Sequence, residues 1–190
     1  MGPVSGEPMP YQIEQGWLRP ARIVPSPNFG PRPEGVAVDL LVIHNISLPP
    51  GEFGGDGVER LFTNCLDWDA HPFFAEIRGL EVSSHLLIRR CGQVLQFVNL
   101  LQRAWHAGLS SYAGRDNCND FSVGIELEGT DDTAYTEAQY RELAAVTDCL
   151  LATYSSMSAQ RIAGHCDIAP GRKTDPGPAF DWQRYRRLLG

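Results

Sequence analysis

The sequence predicts a single α/β (α+β) domain, with a central mixed β-sheet of about five strands flanked by helices. Three observations carry this expectation. Short runs rich in Val, Ile and Leu recur at 36–44, 84–89, 93–98 and 122–128, separated by polar, Gly-containing or Pro-containing segments. Apolar residues at helical spacing are strong only downstream, from residue 136 onward. The 190 residues show no internal repeat, low-complexity segment or domain break, and that length suits one domain of roughly 100–200 residues. Strands interleaved with helices lead to α/β or α+β architectures.

Along the chain, the tract to Glu34 carries Pro8, Pro10, Pro20, Pro25, Pro27, Pro31 and Pro33, which forbid regular helix and keep the backbone extended. Residues 1–15 read as a flexible lead and 16–190 as the domain. Val36 to His44 forms a strand ending at the loop Ser47-Leu48-Pro49-Pro50-Gly51, so His44 stands at a strand end. A short helix is expected over Val58 to Leu66. Ser84 to Arg89 and Gln93 to Val98 form a hairpin across Arg90-Cys91-Gly92. Ser122 to Glu128 is another strand. Thr136 and Gln139 have capping-box spacing, and Tyr140, Leu143, Ala144, Thr147, Leu150, Leu151 and Tyr154 then mark one long amphipathic helix. A last helix, Asp181 to Leu189, has Asp as N-cap and Trp182, Tyr185 and Leu189 on one stripe.

Composition excludes several classes. Apolar residues are 43%, charged residues 21%, and 19 Gly with 14 Pro mark a loop-rich globular chain. The net charge of −7 is opposite to what a polyanion-binding surface needs, so neither nucleic acid nor an anionic wall polymer is expected as a bulk partner. The most apolar stretch, Val36 to Ile46, contains Asp39 and His44 and is far shorter than the ~20 residues of a membrane span. The first 35 residues lack a continuous apolar run of the roughly 7–15 residues that make a signal-peptide core. A cytoplasmic monomer is the resulting expectation. The five cysteines, at 65, 91, 118, 149 and 166, are odd in number and scattered without a CxxC pair. They read as reduced, mostly buried packing residues.

Three places concentrate polar residues that can carry chemistry. In Ser122 to Glu128, alternation puts Val123, Ile125 and Leu127 on one face and Ser122, Gly124, Glu126 and Glu128 on the other. A solvated face would explain two glutamates, but Gly124 implies a close neighbour on that side. Glu126, nearer the strand centre, is then the candidate acid/base, and Glu128 bonds neighbouring backbone. His165 and Asp175 are joined by a segment with Pro170, Gly171, Pro176 and Gly177, a loop that can fold back to bring them together. With His44 they make a two-histidine, one-carboxylate set, suited to catalytic Zn²⁺ or to Fe(II). Spacing does not choose between these metals, and His71, His85 and His106 compete as ligands. Lys173 can reach the same region and meet developing negative charge. Trp105 with Tyr112 offers an apolar platform for a sugar ring or a peptide side chain.

Four motifs, Leu41-Val42-Ile43-His44-Asn45-Ile46-Ser47-Leu48-Pro49-Pro50-Gly51, Arg103-Ala104-Trp105-His106-Ala107-Gly108, Gly124-Ile125-Glu126-Leu127-Glu128-Gly129 and Gly164-His165 through Pro176-Gly177, occur in this order. Together they resemble the zinc amidases of the N-acetylmuramoyl-L-alanine amidase type 2 family, and within it the branch acting on cytoplasmic 1,6-anhydro-muropeptides. The resemblance runs from about Gly16 to the C-terminus. It implies a zinc amidase domain over 16–190 with the Zn²⁺ site at one end of the sheet, held by His44, His165 and Asp175. It also implies Glu126 as catalytic acid/base, Lys173 as transition-state partner, and Asn45, Trp105, His106 and Ala107 near the substrate. Its expected reaction is hydrolysis of the lactyl–L-alanine amide between (1,6-anhydro-)N-acetylmuramic acid and the stem peptide in peptidoglycan recycling, with a consequence for β-lactamase regulation. Where relatives carry arginines near the stem peptide, this chain has Glu81 and Asn117. Two other readings belong to the same fold: a wall-lytic amidase acting on intact peptidoglycan, and a muropeptide-binding module without catalysis.

Overall fold

A computed structural model describes residues 10–190. Residues 1–9, and with them most of the expected lead, lie outside the described residues. The N-terminal tract forms four short strands, β1 (Gln12–Glu14), β2 (Trp17–Arg19), β3 (Arg22–Ile23) and β4 (Phe29–Pro31). Then follow β5 (Leu40–Ile46), α1 (Gly57–Phe62), α2 (Pro72–Glu76), β6 (Leu86–Ile88), β7 (Val94–Gln96), β8 (Gln102–Ala104), β9 (Ser111–Tyr112), β10 (Arg115–Asp116) and β11 (Ser122–Glu128). The chain closes with α3 (Glu137–Thr153), β12 (Ile162–Gly164), α4 (His165–Ile168) and α5 (Trp182–Leu188). Among the described residues no helix is long and apolar enough to cross a membrane.

The central sheet is mixed and has six strands, in the order β12-β5-β11-β6-β7-β3, where about five were expected and four were located along the sequence. Its extra members are the edges. β12 has three residues and β3 two, too few for any periodicity to register, and both are defined by the partner they pair with. All pairs are parallel except the β6–β7 hairpin. β5 and β11 pair along their full seven residues at the centre, and every residue of β11 is buried, so the solvated-face reading of its glutamates does not hold.

Both faces are covered. Leu41, Ile43, Val123, Ile125 and Leu127 pack under α3 and α5 through Tyr140, Leu143, Val146, Leu150 and Tyr185. The capping box that starts α3 is complete: the Thr136 hydroxyl accepts from Gln139 N–H and the Gln139 side chain accepts from Thr136 N–H. Such caps typically contribute about 1 kcal/mol. Asp181 caps α5 by accepting from Arg184 N–H. On the opposite face, Leu87, Leu95 and Phe97 pack against Val58, Leu61 and Phe62 of α1 and Phe74 of α2, while Leu40 and Val42 meet Ala107, Cys118, Phe121 and Ile168. This second layer is short helices and loops, and it leaves room for a site.

Several boundaries differ from expectation for local reasons. The domain begins before residue 16: β1 pairs with β2 and Tyr11 is buried in the core, donating to Glu142. The first central strand starts at Leu40, because Asp39 and Leu40 N–H are taken by the Phe121 carbonyl. α1 ends at Phe62, shortly before Asn64 enters the left-handed region at φ 58°. Among the cysteines Cys118 and Cys149 are buried, Cys166 is intermediate, and Cys65 and Cys91 are exposed, so burial is less general than composition suggested. All five are free thiols.

Candidate metal and catalytic site

In β5 the residues alternate, so His44 shares the face of Leu40 and Val42, away from α3. The parallel register sets Glu126 directly beside His44. β12 runs parallel to β5 on its other side, and His165 follows at its end, opening α4. The sequence reads the whole segment joining His165 to Asp175 as loop; the turn of α4 comes first, and the loop begins only at Ala169. That loop folds back as expected, with Cys166 N–H donating to the Asp175 carbonyl at 3.0 Å. The site thus gathers at the carboxyl ends of parallel strands, where open α/β sheets bind ligands.

His44 Nδ1 lies 3.0 Å from His165 Nδ1, and each is 3.1 Å from Asp175 Oδ2. Their outer partners decide which nitrogens carry protons. Ser122 Oγ donates to the Cys118 carbonyl at 2.6 Å and accepts from His106 Nε2–H at 3.0 Å. His106 Nδ1 is then an acceptor for His44 Nε2–H at 2.9 Å, which leaves His44 Nδ1 with a lone pair. His165 Nε2–H donates to the Ala107 carbonyl at 3.2 Å, which leaves its Nδ1 bare as well. Two imidazole lone pairs and a carboxylate oxygen converge on one point, and only a positive charge stabilises that arrangement. The 3.0–3.1 Å separations are close to the ~3.3 Å edge of a tetrahedral shell with N and O ligands at about 2.0–2.1 Å. The donor set therefore fits a divalent metal ion, and these three residues form such a group among the described residues.

The electrostatics agree. His44 is 1% exposed; burial lowers its pKa to about 4, although Asp175 opposes the shift. It is neutral at pH 7, as a ligand must be. Glu126 shifts the other way: burial first, then the nearby Asp175 charge, raises its carboxyl well above the usual range, with Lys173 working against both. Among the described residues Glu126 Oε2 is buried without a hydrogen-bond partner, so it faces the cavity with a free position. Glu128 differs: it accepts from Gly54 N–H, Arg90 N–H and Arg89, a backbone-pinning role.

A cavity of about 630 Å³ opens over these groups. Its polar side holds His44, Glu126, His165, Asp175, Lys173 and Arg172, and its apolar side Leu61, Phe73, Ile77, Leu80, Val82 and Trp105. Asn45, Trp105 and His106 line it; Ala107 does not. The Ala107 methyl is fully buried in the core, and its carbonyl serves His165 and Arg172. Asn45 donates to Asp131 Oδ1 and to the Pro176 carbonyl, so it braces the residue after Asp175. His71 caps α2, His85 bonds Gly124 N–H and the Gln102 carbonyl, and His106 has both nitrogens engaged. None of these three joins the donor set. Cys166, on α4 next to His165, also stays outside it. Asn119 and Asp131 support the site without a sequence signal, since polar residues in loops are common, whereas Ser122 shares the strand face of Glu126.

A family model described as N-acetylmuramoyl-L-alanine amidase matches residues 34–178. The chain belongs to the N-acetylmuramoyl-L-alanine amidase family. This amidase is 62% identical over 177 residues to the 1,6-anhydro-N-acetylmuramyl-L-alanine amidase AmpD of Escherichia coli (strain K12), covering 93% of this chain and 96% of that one. It is 50% identical over 173 residues to AmpD of Haemophilus influenzae, covering 91% and 94%. A crystal structure of AmpD as its selenomethionine derivative superposes on the amidase with a TM-score of 0.91 at 58% identity, covering 94% of this chain and 99% of that one. The fold is also shared, at a TM-score of 0.60 and 26% identity over 95% of this chain and 66% of that one, with E. coli AmiD solved with anhydro-N-acetylmuramic acid-L-Ala-D-gamma-Glu-L-Lys.

Proposed function

We propose that this amidase is a zinc enzyme of the cytoplasm. It hydrolyses the amide joining the lactyl group of 1,6-anhydro-N-acetylmuramic acid to the L-alanine of the stem peptide, in peptidoglycan recycling. The observation that supports this most is the convergence of His44, His165 and Asp175 beside the orphaned carboxyl of Glu126. Similarity to relatives named for that substrate supports the substrate class.

His44, His165 and Asp175 would hold Zn²⁺, which supplies Lewis acidity that polarises a carbonyl and makes water available as a nucleophile near neutral pH. Glu126 then acts as the proton carrier. Its carboxylate takes a proton from the attacking water and delivers it to the departing alanine nitrogen. The raised affinity of this buried carboxyl for protons suits it to hold one between the two transfers. Lys173, exposed at the cavity rim, meets the negative charge that develops on the carbonyl oxygen. Arg172 donates to the Ala107 and Leu109 carbonyls and so ties the ligand loop to the opposite wall. The apolar wall with Trp105 receives the less polar face of the sugar or peptide. Glu81 is exposed, and Asn117 is held in a left-handed turn with its N–H donating to the Ser110 carbonyl. Neither supplies a positive charge for a peptide carboxylate.

Incubation with 1,6-anhydro-MurNAc-tripeptide and, separately, with intact sacculi, with product masses measured, tests this reading. Release of tripeptide from the soluble fragment is expected. Preferential solubilisation of sacculi would assign a wall-lytic role, and binding without cleavage would assign a recognition module.

A further inference from the structure

Two adjacent residues reach both histidines of the donor set. His106 accepts from His44 Nε2–H through its side chain, and Ala107 accepts from His165 Nε2–H through its carbonyl. Both backbone N–H groups of this dipeptide donate to one atom, Asn119 Oδ1, at 3.1 and 2.8 Å. The His106 ring is fixed from its other side by Ser122 Oγ and lies against the bare backbone of Gly124.

We propose that His106 and Ala107 form one positioning unit, anchored by Asn119, that aims the Nδ1 lone pairs of both His44 and His165 at the metal position. The inference rests on the reading that these histidines hold a metal. The physical reason is coupling. A ligand imidazole rotates about its ring axis unless its outer N–H is held, and here both outer N–H groups are held by neighbours on one chain segment. Because one side-chain oxygen accepts from both backbone N–H groups of that segment, displacing it misaims two ligands together. His106 and Ala107 thereby act through the ligands, and His106 has no ring nitrogen left for substrate.

The test uses the full chain loaded with Zn²⁺ or with Co²⁺ and does not depend on turnover. Asn119→Leu keeps the side-chain volume but removes the acceptor. Zn²⁺ affinity, measured by competition with a chromogenic chelator, is expected to fall about 10–100-fold, with shifted Co²⁺ d–d bands. Asn119→Asp retains an oxygen that accepts from both N–H groups and is expected to restore both readouts. Ser122→Ala, which removes the far partner of His106, is expected to shift the Co²⁺ bands in the same direction. It decides the matter if Asn119→Leu fails to fold by circular dichroism. Variants that bind Zn²⁺ within about twofold of wild type with unaltered Co²⁺ bands overturn the positioning unit and leave the metal reading intact. Wild-type protein that takes up neither ion overturns the metal reading and this inference with it.

Discussion

The ring of His106 lies against Gly124 so closely that a Cβ on Gly124 would stand 2.6 Å from His106 Cγ and Nδ1. The glycine in β11 is therefore the space that lets His106 reach His44. Gly124→Ala is expected to cost about 1–3 kcal/mol of stability through overpacking and to weaken metal retention by displacing His106. Urea midpoints and metal content after dialysis measure the two effects; an alanine variant with unchanged values of both would show that the ring has room to move.

Glu126→Gln keeps the shape of the side chain but cannot carry a proton. The variant is expected to fold, to retain metal, and to lose about 10²–10⁴-fold in kcat. The sign of the pH dependence follows from the direction of the shift. Glu126 must be ionised to accept a proton, and its carboxyl lies above the ordinary range, so the wild-type rate falls as pH drops through that raised value. A glutamine variant with near wild-type turnover removes Glu126 from the reaction.

Lys173→Met removes a charge at the cavity rim without touching the donor set. If it stabilises the oxyanion as other donors do, the loss is about 2.7–4 kcal/mol, or roughly 10²–10³-fold in kcat. Metal content should stay unchanged. Steady-state kinetics that show only a higher KM would reassign Lys173 to substrate binding.

Chelation should abolish activity and Zn²⁺ should restore it. Asp175→Ala leaves two histidine nitrogens without the carboxylate and should bind the ion poorly, as should His44→Ala. Metal analysis alongside activity separates this from misfolding, and full activity in metal-free protein would falsify the metal assignment.

His85 predicts an acid-sensitive fold. It is buried, with Gly124 N–H on Nδ1, the Gln102 carbonyl on Nε2–H and the Arg32 guanidinium 3.3 Å from Nε2. The His44 and His106 rings are nearby. Burial first, then Arg32, lowers its pKa to about 3 from 6.5. Between these values the unfolded chain binds a proton that the folded chain excludes. The contribution is full above pH 6.5 and is lost as pH falls, by about 1.4 kcal/mol per pH unit. Denaturant midpoints of chelator-treated protein from about pH 7.5 to 4.5 should show a shallower acid slope for His85→Gln than for wild type. Equal slopes would exclude His85 as the source.

Much of the fold was legible because its signals are local. Thr136 and Gln139 meet within one helical turn, Arg90-Cys91-Gly92 closes a hairpin between neighbouring strands, and alternation in 122–128 placed Glu126 and Gly124 on one face. β3 and β12 were not legible, because a strand of two or three residues is defined by the partner that pairs with it. Tyr11 likewise joins the core through partners distant in sequence, among them Glu142, 131 positions away.

The residue types of the site and, through the ordered motifs, the family were determined by the sequence alone, and the ligand set was an expectation that came with the family resemblance. Periodicity and spacing left five histidines in competition. Tertiary structure decided among them through hydrogen-bond saturation: His71, His85 and His106 have their ring nitrogens committed elsewhere or point to the backbone, whereas His44 and His165 each hold one outer N–H and turn one bare nitrogen toward Asp175. That choice depends on the register of β5 with β11 and β12 and on a loop folded back over ten residues. Contacts across such separations exist only once the chain has folded, so no local pattern could specify which lone pairs would meet.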